Sequence, residues 1–95
     1  MPFTLHLDGS CLQVTLSGEL NIAQAREFAD ALKPALQPEC TLAIDASELS
    51  RLDAAILQIL LAGTQFAAEA TLVAASPAWK TAFSRYASPD PFRIL

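Results

Sequence analysis

The sequence is short of several things that most chemistry needs. Its 95 residues include three glycines, one histidine and two cysteines, and only 17% of them are charged. Gly9, Gly18 and Gly63 are too scattered to form a phosphate-cradling loop. His6, the lone histidine, falls on the polar side of an alternating segment, with no nucleophile or carboxylate placed to make a triad. One histidine and two distant thiols do not make a metal site. Cys11 and Cys40, 29 positions apart, fit no zinc or redox spacing. They read as small buried hydrophobes, both reduced, in a thiol-preserving compartment. These shortages argue against an enzyme and predict neither a cofactor nor a metal.

Positive charge is scarce too. Six Lys and Arg stand against ten Asp and Glu, a net charge of -4. Such a chain gains nothing from counterion release on nucleic acid and is repelled by anionic lipid. The most apolar stretch, Ala54 to Ala62, has nine residues, where a bilayer span needs roughly 20. Met1 to His6 carries no basic leader pattern. The expectation is a cytoplasmic protein that neither inserts into a membrane nor binds nucleic acid.

Apolar residues are abundant, at 53%, so a chain of this length can bury a real core as one domain over residues 1–95. Phe3, Leu5 and Leu7 alternate with polar residues, as do Leu12, Val14 and Leu16. Both segments are strands with one buried face, joined at Asp8-Gly9 as a hairpin. Gly18 is expected to open a turn after the second strand. Asn21 and Gln24 have capping-box spacing, and Ile22, Ala25, Ala29, Leu32 and Leu36 trace the core face of a first helix. Pro34 either kinks its last turn or stops it early.

Thr41 to Asp45 reads as a central strand, and Ala46 to Arg51 as a polar loop. Asp53 caps a second helix, with Leu52 and Leu57 placed as a hydrophobic staple. That helix is apolar on nearly all sides, so it is well buried or covered by a partner. Thr71 to Ala75 is another strand, and Ser76-Pro77 begins a third helix in the preferred way. Trp79, Phe83 and Tyr86 form its core-facing stripe. Ser88 to Pro91 turns the chain, and Phe92 to Leu95 returns as an edge segment. The order β-β-α-β-α-β-α predicts an α/β fold with a four-stranded mixed sheet and helices mainly on one face.

One polar cluster stands out: Asp45, Ser47, Glu48, Ser50, Arg51 and Asp53, between the central strand and the second helix. Open α/β sheets bind their ligands at such carboxyl ends.

Several segments in this order resemble the STAS family of the anti-sigma-factor-antagonist type. Val14-Thr15-Leu16-Ser17-Gly18-Glu19-Leu20-Asn21-Ile22 resembles the family's opening strand and helix start. Leu42-Ala43-Ile44-Asp45-Ala46-Ser47 resembles its central strand, and Arg51-Leu52-Asp53-Ala54-Ala55-Ile56-Leu57 lies where its phosphorylation motif stands. Val73-Ala74-Ala75-Ser76-Pro77-Ala78 is similar to its last strand and helix start. Leu57 to Ala62 and Ser76 to Ala78 look most like the short STAS proteins of chemotaxis and two-component clusters.

The resemblance implies a non-catalytic, protein-binding adaptor of bacterial signal transduction. Its partner would be a kinase-type anti-sigma factor or another signalling protein, met through Asp45, Ser47, Glu48, Ser50, Arg51, Asp53, Ala54, Ala55 and Ile56. In the regulated members a Ser or Thr just after the motif Asp is phosphorylated. Here those positions are Ala54 and Ala55, so the usual acceptor is lost, and Ile56 replaces the motif glycine. Ser50 is the nearest substitute acceptor, while Ser47 is expected to bond the loop's own backbone. The alternatives are a regulatory subunit of a lipid or anion transporter, and a sensor holding a nucleotide or lipid at the same loop.

Overall fold

The computed structural model describes residues 3–86 and 93–94. The strand β1 (Phe3–Asp8) turns at Gly9, whose φ of 62° suits glycine, into β2 (Cys11–Leu20). They are followed by α1 (Ile22–Ala35), β3 (Thr41–Leu52), α2 (Ala54–Phe66), β4 (Glu69–Ala75), α3 (Pro77–Tyr86) and a two-residue strand β5 (Arg93–Ile94). The strands lie side by side in chain order. β1 and β2 are antiparallel, and β2, β3, β4 and β5 are parallel neighbours. The mixed sheet of four main strands expected from the sequence is therefore present, with β5 a short addition at its edge. The expected turn at 88–91, the side chain of Tyr86, and Phe92 and Leu95 lie outside the described residues.

Parallel crossovers are right-handed almost without exception, and three taken in one direction put all three helices on one face. The burial pattern agrees. Leu12, Val14, Leu16, Leu42, Ile44 and Leu72 are buried on the covered face, while Thr4, His6, Gln13 and Thr15 are exposed on the other. α2 packs between α1 and α3. It buries Ile56, Leu57, Leu60 and Gly63 and leaves Gln58, Gln65 and Phe66 outside. Trp79 and Phe83 join the core as expected, their rings 4.6 Å apart. Each large side chain buried this fully contributes about 1.5–3 kcal/mol.

Three local expectations need correction. Ile22 is 72% exposed, because the first helical residue points past the core. Phe28 takes the central place in α1 instead, set edge-on against Phe3 with ring centroids 5.0 Å apart. Gly18 opens no turn: it lies inside β2 with φ 65°, where the pairing with β3 slips between Gly18 and Glu19. Of the two outcomes open at Pro34, the early stop does not occur: α1 runs on to Ala35.

The third correction matters most. Ala46 to Arg51 is not a loop but the second half of β3, paired with β2 up to Leu20–Leu52. Two irregularities, after Thr15–Asp45 and after Gly18–Leu49, each fit one extra residue into β3. On the covered face the buried positions accordingly run Leu42, Ile44, Ala46, Leu49, Leu52, so the step lengthens from two residues to three. That stretching hides the strand from any period-two reading.

Candidate functional site

The carboxyl end of β3 and the start of α2 carry the residues expected to matter. Asp45 is half-buried at the first irregularity. Its Oδ1 accepts from the Ser47 N–H at 3.0 Å and from the Ser47 hydroxyl at 2.8 Å. The hydroxyl thus bonds a carboxylate rather than the backbone, and the pair fixes the turn that the extra residue needs. Ser47, Glu48, Ser50 and Arg51 are exposed, whereas Leu49 between them is buried.

Asp53 ends the strand and caps α2: its N–H donates to the Leu20 carbonyl at 2.8 Å and its Oδ1 accepts from the Ala55 N–H at 3.2 Å. Leu52 and Leu57, the staple pair, are both core residues. Ala54 and Ala55 are half-buried at the first turn. Ile56 is fully buried. The third residue of α2 points at the sheet, so its bulk fills the core and offers nothing to a partner. That corrects its place among the contact residues.

The remaining residues do not form one patch. Asp45 faces the uncovered side of the sheet beside Gln13, Thr15 and Val73. Ser50, Arg51 and Asp53 instead line an open groove of about 380 Å³ against α3, whose far bank carries Pro77, Thr81 and Arg85. The groove's α3 bank was missed in the sequence, since it lies some thirty residues further along the chain. The signal was present: Lys80, Thr81 and Arg85 fall on the exposed side of α3, away from Trp79 and Phe83.

Ser76 joins the two banks. Its N–H donates to the Ala46 carbonyl at 2.9 Å, and its hydroxyl donates to the Leu49 carbonyl. The serine that precedes this helix therefore satisfies two carbonyls of the irregular half of β3. Among the described residues no group of His, Cys, Asp and Glu is placed to hold a metal, and no helix is long and apolar enough to cross a membrane. Cys11 is half-buried and Cys40 buried, both as free thiols.

Residues 3–88 match the family described as "Mlab, STAS domain". The chain belongs to the STAS family. As a STAS domain it also shares its fold with solved relatives. An anti-sigma factor antagonist from Mycobacterium paratuberculosis superposes with a TM-score of 0.75 at 20% identity, over 97% of this chain and 82% of that one. The anti-sigma factor antagonist SpoIIAA in its unphosphorylated form gives 0.70 at 16% identity, over 98% and 86%. The Bacillus protein SpoIIAA in its phosphorylated form gives 0.65 at 14% identity, over 98% and 90%. No curated protein matches the chain in sequence. In this STAS domain Asp53, Ala54 and Ala55 stand at a helix start, at the positive end of the helix dipole.

Proposed function

We propose that this STAS domain is a non-catalytic, cytoplasmic protein-binding adaptor in bacterial signalling, similar in role to an anti-sigma factor antagonist. Its partner is a kinase-type anti-sigma factor or another signalling protein. It docks on the exposed end of β3, through Ser47, Glu48, Ser50 and Arg51, and on the first turn of α2, at Asp53, Ala54 and Ala55. Asp45 supports this surface from behind by holding Ser47. The chain acts as a single unit over residues 1–95 and is not switched by phosphate at the usual place.

The observation that carries this reading is the start of α2. The capping aspartate and the accessible first turn are kept, while both side chains that could accept phosphate are methyl groups. A regulated relative would gain and lose about two negative charges at its helix start. This one never gains them, so the adaptor is permanently competent to dock.

The test is to supply the missing charge. Ala54→Asp places a carboxylate in the first turn, where the helix dipole accepts it, and stability should change by no more than about 1 kcal/mol. Affinity for the partner captured from native cells should fall by about 2–5 kcal/mol, because a charge is then buried unpaired at the interface. Ala54→Ser should bind as the wild type does. A folded Ala54→Asp protein with unchanged affinity would move the docking site elsewhere. Stoichiometric phosphate on Ser50 in phosphopeptide maps would end the permanently competent reading, and capture of a transporter subunit would favour the transporter alternative.

A further inference from the structure

The groove between the end of β3 and α3 holds an imbalance of charge. Of the chain's six cations, Arg51 and Arg85 line it and Lys80 stands on the adjoining surface of α3 with Thr81 and Arg85. Half of the positive charge of a protein with net charge -4 is thus gathered on one side. All three side chains are exposed, and among the described residues none of them is in an ion pair. Among the described residues the one acid lining the groove, Asp53, already accepts from the Ala55 N–H. Glu19 stands opposite Arg51 in the strand register without pairing with it. The hydroxyl-bearing residues Ser50 and Thr81 add donors along the same walls.

From this arrangement we propose that the groove receives an acidic segment of the partner protein, its carboxylates meeting Arg51 and Arg85, with Lys80 at the edge. Two guanidinium forks suit carboxylates better than any other protein group. Elsewhere the adaptor's negative charge repels an acidic segment, so the groove also fixes the orientation of docking, as complementary charge at an interface does. The proposal rests on the docking reading above, because the groove's strand bank is part of that surface. It extends that surface to α3, which the docking reading does not include.

The probe is a fluorescein-labelled glutamate-rich peptide, with a lysine-rich peptide of equal length as control. Binding is followed by anisotropy, and the site is mapped by amide shifts of the ¹⁵N-labelled protein. The glutamate peptide should bind at low ionic strength and weaken as salt shortens the screening length to about 8 Å. It should shift the amides of Ser50 to Asp53 and of Ala78 to Arg85. Arg51→Glu and Arg85→Glu should each weaken it by about tenfold or more, and Glu19→Gln should tighten it. Absence of binding at low salt, equal binding of the lysine peptide, shifts away from the groove, or unchanged affinity in both reversal variants would each overturn the proposal. Capture of the native partner separates the two ideas. If Ala54→Asp abolishes capture and Arg85→Glu leaves it intact, the docking reading stands and the acidic-segment proposal falls. If Arg85→Glu abolishes it and Ala54→Asp does not, the helix-start part of the docking surface falls, while its strand bank and the acidic-segment proposal stand.

Discussion

α1 and α2 leave the sheet side by side, since Leu20 and Leu52 are register partners and each helix begins two residues later. Their first turns are built differently. At α1 the cap is reciprocal: the Ala23 N–H donates to Asn21 Oδ1, and the Asn21 N–H donates to Gln24 Oε1, both at 2.9 Å. At α2 only half of this exists. Asp53 accepts from Ala55, but the residue that would reach back is Ile56, which the core has claimed. One helix start is closed on itself, and the other is held by a single longer bond and keeps its surface plain. The first start gains a return bond that the second forgoes, and the second keeps the plain surface that the proposed docking requires.

The comparison can be broken or sharpened by substitution, read in chemical denaturation. Ile56→Gln supplies the missing capping partner, and should still cost about 3 kcal/mol or more, because it replaces a buried hydrocarbon with an amide. A neutral outcome would mean that the core does not govern this position. Asn21→Ala should cost about 1–2 kcal/mol, because it removes the side-chain acceptor and the turn it fixes. Asp53→Ala should cost about 1 kcal/mol, the lone cap bond plus its favourable charge at the helix start. If Asp53→Ala proves clearly the more damaging of the two, the single cap is the stronger. Gln24→Ala should be the mildest, at about 0.5 kcal/mol, since only the return bond is lost.

Much of the fold was legible because its signals were local. Alternation marked β1 and β2, the spacing of Asn21 and Gln24 marked a helix start, and Ser76-Pro77 marked another. What escaped was set by pairing between distant segments. The second half of β3 looked like a loop because its buried residues recur every third position, a rhythm that exists only through two irregularities against β2. Ile22 fitted the helical stripe by spacing, yet its place at the very start of α1 leaves it in water, and Phe28 fills the core instead. The candidate site followed the same rule. The residues before and after Asp53 were readable, but the groove's second bank, α3, joins them only in space.

The two hydrogen bonds of Ser76 have a mechanical consequence. They stitch the start of α3 to Ala46, inside the first irregularity of β3, and to Leu49 just beyond it. The distance between the strand that carries Arg51 and the helix that carries Arg85 is therefore set like the jaws of a fixed spanner, and does not wait for a visitor to set it. Ser76→Ala would free one jaw: the chain should still fold, but the groove would then have to be narrowed afresh at each encounter, and dissociation should quicken more than association slows.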